Sequence, residues 1–89
     1  MKIIKRSGRE DVFDENKIVN AVAKANASVG EADRLTDEEV KSVGANVTKI
    51  ATSSSRALSV EEIQDLVENE IMARKKYRVA RNYITYRYT

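Results

Sequence analysis

The sequence predicts a mostly helical α+β fold, with an N-terminal β-hairpin or small sheet covering a four-helix bundle. Three observations carry this expectation. Short β-branched segments flank a Ser-Gly pair near the start. Four later stretches space their apolar residues as helices do. Two of those stretches open on capping boxes. With 89 residues, 42% of them apolar, the chain can fill one small core and reads as a single domain over residues 1–89.

The elements follow in order. Residues 2–6 and 9–13 read as paired strands carrying Ile3, Ile4, Val12 and Phe13, with Ser7-Gly8 as a two-residue turn. An isolated hairpin is barely stable in water, so this one must lie on something else. Asp14 is a good N-cap for a first helix holding Ile18, Val19, Ala21, Val22, Ala25 and Val29, and Gly30 sits where a C′ glycine would end it. After the polar loop "EADRL", Thr36 and Glu39 form a capping box. Val40, Val43, Val47, Ile50 and Ala51 then make a narrow stripe, and the serines at 53–55 fray the helix end. Gly44 either weakens this helix or lets a neighbour approach closely.

Ser59 and Glu62 form the second capping box, ahead of Ile63, Leu66, Val67 and Ile71. The cations Arg74-Lys75-Lys76 suit a helix C-terminus, and a break near 74–77 separates a last helix over Tyr77–Tyr88. Its expected inner face is Val79, Ala80, Tyr83, Ile84 and Arg87.

Composition narrows the function. There is no cysteine and no histidine, which removes disulfides, thiolate sites, the commonest zinc ligand and the commonest general base. No catalytic residue and no metal ligand is singled out. No apolar run approaches the ~20 residues that span a bilayer, and the start lacks a signal-peptide pattern, so the expected location is cytoplasmic, with no membrane partner. Charge is uneven. Lys2, Lys5, Arg6 and Arg9 face only Glu10 and Asp11 in the first 13 residues. Residues 14–73 carry 6 basic and 12 acidic groups, and residues 74–89 carry six basic groups and no acid. Basic ends can face nucleic acid, a membrane surface or a nucleotide phosphate, or simply be solvated.

Several residues could bind an anion. Lys5 and Arg6 precede the turn at Gly8, where backbone N–H groups are exposed, but neighbours on a regular strand point to opposite faces. The alternative is a hairpin with a solvated basic tip. Lys17 is a cation in a first helical turn, which invites an anionic partner, either Asp14 or a phosphate. Val60 and Gln64, four apart on one helix, can either face a base or form an ordinary amphipathic boundary. Tyr77, Tyr83, Tyr86 and Tyr88 interleave with Arg78, Arg81 and Arg87. That pattern occurs on single-stranded nucleic-acid surfaces and also where tyrosines simply pack, the reading favoured for Tyr83.

The order "IIKRSGREDVFDENKI", "LSVEEIQDLVENEIM" and "YRVARNYITYR" resembles the ATP-cone domain across residues 2–88. That module stands at the N-terminus of many ribonucleotide reductase catalytic subunits and in a bacterial repressor of the reductase genes. The missing cysteines fit the repressor's zinc ribbon poorly, and the ending looks more like the reductases, leaning towards the anaerobic class.

The resemblance implies an allosteric domain without chemistry of its own. It would bind ATP or dATP and control a reductase through oligomeric or conformational state. Carried over by position, the nucleotide residues are Lys5, Arg6, Gly8, Asp11, Lys17, Ile18, Val60, Gln64 and Arg87. Ser7 departs from the Asp or Asn usual before the glycine. Lys5, Arg6 and Lys17 would neutralise the triphosphate, with Mg²⁺ across its oxygens, and the base would lie against Ile18 and Val60. The implied partners are the rest of the catalytic subunit and further copies of it. The alternative is a nucleic-acid-binding module using the basic C-terminal segment, and a third reading is a pure oligomerisation domain.

Overall fold

A computed structural model describes residues 2–87; Tyr88, the expected end of the last helix, lies outside them. The order is β1 (Lys2–Ile4), β2 (Glu10–Val12), α1 (Glu15–Ala27), a 3-10 turn (Glu31–Asp33), α2 (Asp37–Ser53), β3 (Leu58–Ser59), α3 (Val60–Ala73) and α4 (Tyr77–Arg87). The expected α+β class is observed. Each helix packs on two others: α1 on α2 and α4, and α3 on α2 and α4. Ile71, Val22, Val43, Val47, Val67 and Val79 fill the centre.

The hairpin pairs Ile3 with Asp11 and is joined by β3, parallel to β1, with Ile3 opposite Leu58 and Ile4 opposite Ser59. The strands are shorter than 2–6 and 9–13, and the two-residue turn is corrected. The Gly8 N–H donates to the Lys5 carbonyl at 2.8 Å, and the Lys5 N–H donates to the Arg9 carbonyl at 2.8 Å. Arg6, Ser7 and Gly8 thus form a three-residue loop whose last residue is left-handed, with Gly8 at φ 85°. An added Cβ at Gly8 would meet no atom within 4 Å, so backbone conformation rather than space requires glycine there.

Asp14 caps α1 by accepting from the Asn16 N–H at 2.9 Å. Gly30 is not the C′ residue: the helix stops at Ala27, and Gly30 lies at φ −64°, ψ 153°. Other groups close this end. Arg34 donates to the carbonyls of Val29 (2.8 Å) and Ala27 (3.1 Å), and Ser28 Oγ donates to Ala25 O (2.8 Å). In the loop "EADRL" Ala32 is exposed and Leu35 is buried. Asn26, also buried, accepts from the Leu35 N–H and donates to its carbonyl.

Both capping boxes form. Of the α2 stripe, Val40, Val43, Val47 and Ala51 are buried, but Ile50 is 44% exposed. Ile84 of α4 is likewise exposed, at 37%. Both sit at the rim, because each helix has only two helical neighbours and its apolar arc is narrow. Gly44 serves close approach: a Cβ there would lie 2.6 Å from Val19 Cγ2 on α1. The break between α3 and α4 falls as expected. Lys75 closes α3 at φ 62°, a left-handed conformation that disfavours a Cβ.

Three outcomes follow from these local features. Gly44→Ala should cost about 1–2 kcal/mol by urea denaturation, overpacking against Val19 outweighing the gain in helix propensity. Adding Val19→Ala should make that second change far less damaging than it is alone. Lys75→Gly should stabilise by up to about 1 kcal/mol, whereas Lys75→Ala should not. The Glu62 carboxyl is held down at about 2, first by the Arg56 side chain at 2.6 Å and then by the Ser59 N–H. A depressed carboxylate stabilises above its unfolded value of 4.5 and loses that contribution as pH falls towards 2. Thermal melts of wild type and Glu62→Gln should therefore differ at pH 6 and converge between those values.

Candidate functional site

The carried-over residues gather around the hairpin tip in two clusters. The first lies between hairpin and α1. Lys5 Nζ is 3.2 Å from Asp11 Oδ2, on the hairpin side that also carries half-buried Ile3. The Asp11 carboxyl is held below its ordinary range, first by the hydrogen bond from the Val12 N–H, then by Lys5, with a smaller push from Lys17. Lys17 itself makes no ion pair among the described residues. Asp14 makes no ion pair with it; that carboxylate caps the Asn16 N–H.

The second cluster joins the tip to α3 and the end of α4. Arg6 Nε donates to Glu61 Oε1 at 2.7 Å, and its Nη2 lies 3.4 Å from the Arg87 carbonyl. Arg87 Nε donates to Gln64 Oε1 at 3.1 Å. Its Nη1 donates to Asp65 Oδ1 at 3.0 Å and to Glu68 Oε1. Neighbouring strand residues cannot serve one side, yet here Lys5 reaches Asp11 and Arg6 reaches α3. The three-residue loop explains this, since β1 ends at Ile4 and Arg6 already belongs to the turn.

The two arginines of this cluster differ in burial. The Arg6 side chain is 58% exposed and that of Glu61 43%. The Arg87 side chain is only 6% exposed, against Glu68 at 18%. Tyr83, nearby in the core, has its hydroxyl pushed up to about 12 by burial, so it stays protonated at any ordinary pH.

The remaining residues differ in exposure. Val60 is half-buried at the start of α3, Ile18 lies in the core at 8% exposure, and Gly8 stands open at the turn. Sequence reasoning missed Glu61, Asp65 and Glu68. Their signal was a stripe of acids at positions i, i+4 and i+7 of α3, facing the basic end of α4.

Among the described residues no group of three His, Cys, Asp or Glu side chains could hold a metal ion. None of their helices is long and apolar enough to cross a membrane.

The chain is also similar to known proteins. The chain is 33% identical over 86 residues to an anaerobic ribonucleoside-triphosphate reductase of Haemophilus influenzae, covering 97% of this chain and 12% of that protein. It is 28% identical over 95 residues to a ribonucleoside-diphosphate reductase subunit alpha of Chlamydia trachomatis, covering 98% and 9%. A vitamin B12-dependent ribonucleoside-diphosphate reductase of Thermoplasma acidophilum is 33% identical over 96 residues, covering 97% and 11%. The chain thus spans about a tenth of the length of the curated relatives it matches. The family model for the ATP cone domain matches residues 1–89, and the chain belongs to the ATP-cone family.

Proposed function

We propose that residues 1–89 form one regulatory domain that binds ATP or dATP at the hairpin tip and so controls a ribonucleotide reductase. The observation that carries this reading is the state of the tip cations. The Lys5 and Arg6 side chains are more than half exposed and their ion-pair partners are the half-buried carboxylates of Asp11 and Glu61, with one long contact from Arg6 to the Arg87 carbonyl; pairs this open to water are worth about 0–1 kcal/mol each. A triphosphate brings more charge than either carboxylate, and phosphate matches the guanidinium fork. Lys17, in the first turn of α1, is near enough to Asp11 to help lower its carboxyl.

In this reading Lys5, Arg6 and Lys17 hold the phosphates, and Gly8 leaves room for them at the turn. Mg²⁺ arrives on the phosphate oxygens, the kind of site it prefers. Val60 and the upper turns of α3 form the wall towards the base. Arg87 acts by holding Gln64 and the end of α4 in place, because its own guanidinium is committed to α3. The cone would signal to the remainder of a catalytic subunit, and to further copies of it, only as far as the nucleotide favours one arrangement over another. Membership of the ATP-cone family, with relatives named as reductases, supports both the ligand and the partner.

A second reading draws on Tyr77, 59% exposed beside Arg78 and Arg81, as a nucleic-acid surface. It loses Arg87, which α3 engages.

Calorimetric titration of Mg·ATP into the 89-residue chain should give saturable heat. The double substitution Lys5→Glu with Arg6→Glu should abolish it while leaving the helical circular dichroism intact. A folded wild type that gives no heat at millimolar ATP would sink the nucleotide reading. Salt-steep binding of single-stranded DNA, indifferent to ATP, would favour the second.

A further inference from the structure

We infer that Glu61 is an internal competitor for the phosphate site, a carboxylate that occupies Arg6 until a ligand phosphate takes its place. The inference rests on the nucleotide reading above, since it concerns the same arginine.

The geometry distinguishes this pair from its neighbours. Glu61 meets Arg6 through a single short contact, Nε to Oε1 at 2.7 Å, and the second contact of the guanidinium, to the Arg87 carbonyl, is long at 3.4 Å. A guanidinium has five N–H donors, so most of its fork is open to a bidentate oxyanion. Glu61 is also dispensable to its own helix. The capping box of α3 is made by Ser59 and Glu62, and the positive end of the helix favours a carboxylate at Glu61 with or without Arg6. On losing Arg6, Glu61 therefore has a favourable place to stay.

Arg87 contrasts with Arg6. It is nearly buried and holds Gln64, Asp65 and Glu68 together, so displacing it would strand buried charge. Of the two arginines that meet at this corner, only Arg6 can change partners at little cost. In the ligand-free state the tip is thus docked on α3 through Glu61, and binding exchanges that carboxylate for phosphate. The exchange makes occupancy felt at the first turn of α3, one residue from Val60.

Three chains test this by Mg·ATP calorimetry: wild type, Glu61→Gln and Glu10→Gln. Glu10 lies on the outer side of the hairpin beside Lys2, at 4.0 Å, so its change removes the same charge near the tip without touching Arg6. Urea melts confirm that each chain is folded. Glu61→Gln should bind about two- to fivefold more tightly than wild type, the equivalent of an exposed ion pair, and Glu10→Gln should bind as wild type does. Equal affinity in wild type and Glu61→Gln overturns the inference. So does an equal gain in both variants, which would reduce the effect to net charge. If none of the three binds ATP, the nucleotide reading fails, and inorganic tripolyphosphate becomes the probe. Tighter tripolyphosphate binding by Glu61→Gln alone would uphold the competitor, and anything else would overturn it.

Discussion

The whole arrangement depends on the parallel pairing of β1 with β3. A two-stranded hairpin cannot hold itself in water, and this one gains its third strand from only two residues, Leu58 and Ser59. Ser59 belongs to two structures at once. It is the last residue of β3 and the N-cap of α3, its hydroxyl accepting from the Glu62 N–H at 3.1 Å. No linker separates sheet from helix, so fixing Ile4 opposite Ser59 also fixes the hairpin over the first turn of α3. The cations of the tip land beside Glu61 for that reason.

The helices supply a rigid base for this corner. Close contact of α1 and α2 requires the bare backbone of Gly44 against Val19, and the turn between them is pinned where Asn26 bonds both backbone groups of Leu35. A buried amide with both functions satisfied specifies one geometry, since any shift leaves polar groups unpaired in the core. The polar corner combines opposite kinds of pair. The Lys5 and Arg6 side chains that pair with Asp11 and Glu61 are open to water, whereas Arg87 with Glu68 is sheltered. A site that must accept and release an anion needs the first kind, and a frame that keeps its shape needs the second.

Much of this was legible in the sequence, and for physical reasons. Asp14, Thr36 and Ser59 announce helix starts because their side chains bond to specific N–H groups within three residues, which is a local rule. Gly44 was legible as a possible close approach, and the break at 74–77 as a cluster of cations. What was illegible depended on partners far along the chain. Gly30 looked like a helix terminator, but Arg34 closes the end of α1 instead. β3 is too short for any alternation to register. Ile50 and Ile84 fit their helical stripes, yet their exposure depends on how many neighbours each helix has. Lys5 and Arg6 engage different partners, Asp11 and Glu61, and the three-residue loop takes Arg6 out of the strand, which a two-residue turn does not predict. The acids of α3 appear in the sequence only within the acidic middle of the chain, and their pairing depends on the end of α4 lying beside them.

The fixing of Arg87 has a mechanical consequence. The last turn of a helix normally frays, since its carbonyls lack partners within the helix. Here that turn is riveted to α3 by a guanidinium gripping two carboxylates and an amide. A pull on this end of α4 is therefore borne by α3 before α4 can unwind. Because α3 begins at Ser59, the load passes along it towards the strand that seats the hairpin. The end of the last helix is thus tied to α3 and also touches the basic tip, Arg6 Nη2 lying 3.4 Å from the Arg87 carbonyl, so a displacement of α4 bears directly on that tip.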